Sequence, residues 1–208
     1  MLFHMNYGMH SNANKMQDLC VRIASDNKLK IFKERINPNK FKNTNIEAQA
    51  RYARYDKLLS ICSKNKINYI LTGHHEDDQI ETIYMHKEIH KSSWISQIGI
   101  RSKRSLYKDI NLSIDVIRPM LSISRKKIIN YAKNNKLKFY NDPTNNDFRF
   151  LRNKIRHEIK EKKQDENFRF SILKTKYNNK IKIDKISSDI DKKILILLFF
   201  LFIKILLF

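Results

Sequence analysis

A chain of 208 residues is long enough for one ordinary domain, with room for a small appendage. Hydrophobic residues at 41% and aromatic residues at 11% supply a core, which excludes disorder throughout. The formal net charge of +21 excludes an acidic, solvating protein and points to a polyanionic partner, although a chain rich in Lys, Asn and Ile also owes charge to A/T-rich codons.

In chain order, Met1 to Asn6 alternates weakly before Gly8 and reads as a short strand entering a turn. Ser11 offers a cap for a helix to about Asn27, with Met16, Leu19, Val21, Ile23 and Ala24 on its apolar face. Leu29 to Ile36 alternates as a strand. Thr44 or Asn45 caps a second helix, through "IEAQARYARYDKLLSICSK", with Glu47 in its first turn. Ile67 to Leu71 is the strongest strand signal, being β-branched and aromatic. A third helix follows to about Lys91, and the polar stretch Ser92 to Ser113 reads as loop. Ile114 to Ile117 is a short strand closed by Pro119. Ser124 caps a helix to Asn134, Leu137 to Tyr140 is a further strand, "NDPTNND" is a turn, and Phe148 to Lys162 is a basic helix.

Strands alternating with helices predict an α/β domain of three layers with a mainly parallel sheet. That domain occupies residues 1–160, a Lys-rich tail or linker covers 161–193, and an apolar segment of unassigned role covers 194–208. The segment "ILILLFFLFIKILLF" would rise about 22 Å as a helix, short of the roughly 30 Å of a bilayer core, so membrane contact is not expected. It reads as an aberrant or truncated end, with a membrane tail cut short and a helix buried against a missing partner as the other readings. Cys20 and Cys62 form no CxxC pair and read as buried, reduced thiols of a cytoplasmic protein. The start "MLFHMNYGMH" lacks the pattern of a signal peptide.

The stretch Leu71 to Ile83, "LTGHHEDDQIETI", carries two histidines and four acids directly after the strongest strand. In an open α/β sheet, ligands bind beyond the carboxyl ends of the strands, so these side chains stand where chemistry is expected. Asp77 and Glu81 lie four apart, Asp78 and Glu81 three apart, so on a helix they share a face that can hold Mg²⁺. Acids in a first helical turn also favour the helix dipole without any ligand, and a zinc or manganese site of His and carboxylates is a third reading. His74 and His75, being adjacent, point different ways on a helix.

"GHHEDDQIET" resembles the signature of the tRNA(Ile)-lysidine synthetase family, within the PP-loop ATP pyrophosphatases. Further stretches agree in order: "FHMNYGMHSNANKMQDLC", "NIEAQARYARYDKL", "IRPMLSISRKKI" and "DPTNNDFRFLRNKIRHEI". The resemblance spans about residues 1–160 and implies an adenine nucleotide alpha hydrolase-like (HUP-like) fold. It implies ATP-dependent joining of L-lysine to C2 of the wobble cytidine in the anticodon loop of an isoleucine tRNA. Carried over by position, Asp77, Asp78 and Glu81 would be catalytic, with Asp78 and Glu81 holding Mg²⁺. Gly73, His74 and His75 would line the ATP pocket. Arg51, Arg54, Arg118, Arg125, Arg152, Asn153 and Arg156 would meet substrate or tRNA, since arginine pairs bidentately with phosphate. For Arg51 and Arg54, a solvated helix face with Tyr52 and Tyr55 packing is the plainer reading. A basic surface serves equally for Arg152, Asn153 and Arg156. A homodimer is compatible with this reading.

The family's Ser-Gly-Gly-x-Asp-Ser phosphate loop is absent from a chain whose three glycines are Gly8, Gly73 and Gly99. The expected fold therefore lacks the family's first, central strand, and the chain alone is expected neither to bind ATP tightly nor to make lysidine. "HKSSWISQIG" replaces a Gly-rich loop after the motif helix, and His10 stands where the family favours arginine. The alternatives are a PP-loop tRNA thiolation enzyme, whose iron–sulfur branch needs more cysteines, and a non-catalytic RNA-binding remnant.

Overall fold

The computed structural model describes residues 1–37, 46–109 and 112–206, and the chain divides into two compact units. Unit 1 comprises Met1–Glu76 and Ser102–Glu158; unit 2 comprises Asp77–Arg101 and Ile159–Phe208. Thr44 and Asn45, the expected cap of the second helix, lie outside the described residues.

Unit 1 is α/β. Strand β1 (Leu2–Asn6) pairs in parallel with β2 (Ile31–Arg35), in register from Leu2 opposite Ile31 to Asn6 opposite Arg35. Helix α1 (Ala13–Asp26) makes that crossover, which a parallel pair requires. After helix α2 (Ile46–Lys64), strand β3 (Tyr69–Leu71) pairs in parallel with β5 (Leu112–Ile117), and β5 also takes β4 (Lys103–Asp109) on its other side, antiparallel. Among the described residues the strands thus form two sheets rather than one. The core of the second sheet is Cys62, Ile70, Ile114 and Val116, with Tyr55, Leu58, Leu59, Ile67 and Leu106 packed against it. Helix α4 (Arg125–Asn134) starts as expected at Ser124, whose hydroxyl accepts from the Lys127 amide. Helix α5 (Leu151–Glu158) ends the unit.

Three expectations are corrected. The polar stretch from Ser92 to Ser113 contains β4, because "KRSLYKD" lies at an edge with only one strand neighbour and needs little apolar character. Leu137 to Tyr140 is not a strand; Leu137, Phe139 and Tyr140 are exposed, with no partner strand to reward their β propensity. Helix α1 starts after Asn12 without a side-chain cap, rather than at Ser11.

Unit 2 is helical. Helix α3 (Glu76–Tyr84) enters it and continues as a π-helical turn, Met85–Ile89, so regular helix ends before the expected Lys91. Gln79, fully buried, pairs its side-chain amide with the backbone of Ile100: Nε2 donates at 2.6 Å and Oε1 accepts at 2.7 Å. Gly99 makes this closure possible: its φ of 75° suits glycine, and a Cβ there would press on Gln79 Oε1 and Ile83. A 41-residue helix, α6 (Glu166–Leu206), runs through most of the Lys-rich stretch and on into the apolar segment. Early in α6, Asn179 donates to the Trp94 carbonyl at 3.0 Å, and Lys182 lies 5.8 Å from the Trp94 ring centroid. Among the described residues no helix is long and apolar enough to cross a membrane.

Candidate functional site

At the carboxyl end of β1, unit 1 holds a cavity of about 320 Å³ lined by His4, Asn6, Tyr7, His10, Arg54, Asp142 and Thr144 among others. Its floor is built locally. Asn6 Oδ1 accepts from the Gly8 amide at 2.9 Å, a turn that Gly8 completes with a φ of 62°, while Asn6 Nδ2 donates to Asn14 and Gln17 on α1. His10 Nε2 lies 3.5 Å from Asp142 Oδ1, and the same carboxylate oxygen accepts from the Thr144 amide and hydroxyl at 2.9 and 2.7 Å. Thus the turn "NDPTNND" meets the loop after β1 through a polar contact at His10.

Arginines converge nearby. The Arg51 guanidinium stacks 4.8 Å from the Tyr55 ring centroid, and Arg54, three residues on, lines the cavity. Tyr7 donates to the Ala50 carbonyl at 3.2 Å; burial raises its hydroxyl above the ordinary value, opposed by the positive fields of Arg54 and Arg51. Arg118 is buried beside Tyr55. Burial lowers its pKa first, the Tyr55 hydroxyl resists that, and the like charges of Arg51 and Arg104 add to the lowering. Three of the arginines singled out in the sequence therefore share one electropositive neighbourhood with two tyrosines.

The remaining candidates in unit 1 divide. Asn153 is buried and donates to the carbonyls of Thr144 and Asp147 at 2.7 and 2.9 Å, and Arg156 Nη1 donates to Asn145 at 2.9 Å. Both brace the turn beside the cavity. Arg152 is half-buried on the same helix, and Arg125 is exposed at the start of α4. At the end of β3, Thr72 Oγ1 and His74 Nδ1 share a hydrogen bond at 2.9 Å, and His75 is half-buried. Gly73 is exposed, and a Cβ there would make only ordinary contact with Met120 at 3.5 Å.

Of the four acids of the motif, Glu76 ends the first segment of unit 1, and Asp77, Asp78 and Glu81 fall in unit 2. Glu81 is buried and accepts from Lys163 Nζ at 2.9 Å; Asp77, also buried, accepts from Arg169 Nη2 at 3.2 Å. Asp78 is half-buried, and its carbonyl accepts from Thr82 Oγ1 at 2.8 Å. Among the described residues no three His, Cys, Asp or Glu side chains group as a metal ligand set. Sequence reading missed Lys163 and Arg169, because nothing distinguishes two cations among the 42 Lys and Arg of the chain. It also passed over Tyr7, Asp142 and Thr144 as individual residues, although they sit inside the quoted blocks.

His4 gives the cavity wall a pH dependence. Its Nδ1 meets Cys20 Sγ at 3.4 Å, its Nε2 is buried with no hydrogen-bond partner among the described residues, and burial lowers its pKa below 6.5. The folded state then binds this proton more weakly than the unfolded state. Stability is full above the ordinary histidine value and falls as pH drops through it towards the folded value. His86 in unit 2, lowered by burial and then by His90, acts with the same sign. The urea midpoint is expected to fall between neutral and mildly acidic pH, and to fall less in His4→Gln; an equal slope in both would show that His4 is not a source.

Several curated proteins are similar to this chain. The tRNA(Ile)-lysidine synthase of Mycoplasma mycoides is 34% identical over 161 residues, covering 76% of this chain and 38% of that protein. That of Mesoplasma florum is 33% identical over 159 residues, covering 76% and 38%, and that of Coxiella burnetii 32% over 157 residues, covering 75% and 33%. The chain thus spans about a third of the length of these relatives. Among solved structures, the U34-tRNA thiolase NcsA of Methanococcus maripaludis, with its [4Fe-4S] cluster, has a TM-score of 0.57 over 85% of this chain and 61% of that one; at 15% identity the likeness is one of fold. The family model described as the PP-loop domain matches residues 1–163, which take in the cavity, the arginine neighbourhood and the acidic motif, and the chain belongs to that family.

Proposed function

We propose that this chain is the PP-loop portion of a tRNA(Ile)-lysidine synthase, an ATP-using ligase of tRNA modification. The observation that carries the reading is the cavity at the end of β1 with Arg51, Arg54 and Arg118 gathered around Tyr7 and Tyr55. Fixed positive charges beside a cleft with partly polar walls suit phosphate, and preorganised charge of this kind is commonly the largest catalytic contribution. In the proposed reaction the C2 carbonyl oxygen of the wobble cytidine attacks the α-phosphorus of ATP and releases pyrophosphate, and the neutral ε-amine of L-lysine then attacks C2, displacing AMP and losing a proton. Arg54 and Arg51 hold phosphate or the cytidine, Arg118 clamps substrate, and Arg125, Arg152 and Arg156 meet the tRNA backbone, while Asn153 shapes the turn. Gly73, His74 and His75 stand by the nucleotide, and Asp78 is the motif acid assigned to chemistry. The setting is the cytoplasm, where Cys20 and Cys62 stay reduced.

Mg²⁺, expected at Asp78 and Glu81, fits this chain poorly: Glu81 is buried against Lys163, which matches its charge within the fold, and the neighbouring Asp77 is likewise paired with Arg169. The thiolase reading is disfavoured by cysteine supply: the chain has two, Cys62 buried in the core and Cys20 against His4, too few for a protein-held cluster.

The test supplies the loop that the sequence lacks. A fusion placing a Ser-Gly-Gly-x-Asp-Ser strand and loop in frame ahead of Met1 is expected to incorporate labelled lysine, with ATP, into an isoleucine tRNA bearing a wobble cytidine. The unfused chain is expected to bind that tRNA, with affinity falling steeply with salt, but not to turn over. A folded fusion that binds tRNA without incorporating lysine would instead favour a non-catalytic RNA-binding protein.

A further inference from the structure

Four charged side chains are buried together in unit 2, two acids of the motif helix and two bases from beyond residue 158. Lys163 Nζ lies 2.9 Å from Glu81 Oε1 and 3.9 Å from Asp77 Oδ2. Arg169 Nη2 lies 3.2 Å from Asp77 Oδ1, and its Nη1 donates to the Lys163 carbonyl at 3.2 Å. All four residues are 8% exposed or less. The group is therefore neutral as built, and each carboxylate has a cation at hydrogen-bond distance.

We propose that the ammonium of Lys163 is the resident cation of the motif helix, seated between Glu81 and Asp77 where a divalent ion would otherwise sit, with Lys163 and Arg169 as positioning residues for that helix. A lysine ammonium is a compact point charge with three donors, suited to a gap between carboxylate oxygens. A divalent ion added there would leave an excess of two positive charges in a buried, weakly screened place. Magnesium also keeps several waters of its octahedral shell, for which a buried, fully paired cluster has no provision. Arg169 fixes Lys163 from behind by taking its carbonyl, so the ammonium is held at both ends of the residue. Arg169 lies outside the matched 1–163 region, which makes the start of α6 part of the motif's working structure.

The inference stands on this geometry and not on the assigned reaction, so its test needs no tRNA. Reductive methylation of the full chain, read lysine by lysine by mass spectrometry, is expected to label Lys163 at least about tenfold more slowly than exposed Lys126 and Lys185. Added Mg²⁺ is expected to leave the Lys163 rate unchanged. In Glu81→Gln the rate should rise towards that of the surface lysines, while Mn²⁺ binding measured by electron paramagnetic resonance stays as in the unaltered chain. Labelling of Lys163 at the surface rate would overturn the proposal. So would acceleration by Mg²⁺, which would mean that the ion displaces the ammonium, or loss of a bound Mn²⁺ in Glu81→Gln. Should that variant fail to fold, the Mg²⁺ comparison on the unaltered chain decides alone.

Discussion

Replacing Arg169 by Ala is expected to lower the unfolding free energy by about 3–5 kcal/mol, because it removes the guanidinium 3.2 Å from the buried Asp77 carboxylate. Against a total of roughly 5–15 kcal/mol for an ordinary domain, that is a fifth of the whole at least. The loss also removes a donor from the Lys163 carbonyl, so the turn into α6 loosens at the same time. Arg149 supplies the contrast. It makes a better-looking pair, with contacts of 3.0, 3.1 and 2.7 Å to the two oxygens of Asp147, yet its side chain is 83% exposed. Arg149→Ala is accordingly expected to leave the urea midpoint nearly unchanged, because water screens an exposed pair. Urea denaturation of the two variants measures the difference; equal small losses would show that the buried cluster is open to water. Adding Asp77→Ala to Arg169→Ala should restore part of the stability, since the buried carboxylate that Arg169 faces is then gone.

These two arginines show what the sequence could and could not disclose. Strand β3 and helix α4 were legible because their signals are local: a β-branched run in one case, a Ser at the cap in the other. The motif helix α3 was legible for the same reason, and its family blocks placed Arg51, Arg54 and Arg118 on one list before any geometry joined them. Strand β4 was not legible, because its strandness comes from the neighbour β5 and not from its own side chains. The pairing of Glu81 with Lys163 was hidden more deeply. It spans 82 residues, and the pattern that would reveal it is a contact, not a spacing. Acids at helical spacing therefore read equally well as a metal face or as half of an ion-pair cluster, and only the partner's position separates the two.

The arginine neighbourhood of unit 1 has the larger expected effect on binding. Arg54→Ala is expected to weaken binding of an isoleucine tRNA by about 10–100-fold, the loss for one charge-assisted hydrogen bond of roughly 1.5–3 kcal/mol. The reason lies in its surroundings: Arg54 is half-buried at the cavity, where its charge also acts on the Tyr7 hydroxyl, so solvent screens it less than a surface arginine. If it meets a phosphate, the slope of log affinity against log salt should fall by about one. Arg54→Lys separates charge from shape: it keeps the slope but loses the bidentate fork, so part of the affinity is lost with no change in salt dependence. Arg125→Ala, at an exposed helix start, is expected to lower affinity only a few-fold, as one more backbone contact. Filter binding across a salt series reads all three variants, with circular dichroism to confirm their fold. An Arg54→Ala chain that binds tRNA as the unaltered chain does would place the nucleic-acid surface elsewhere and leave the cavity to the nucleotide alone.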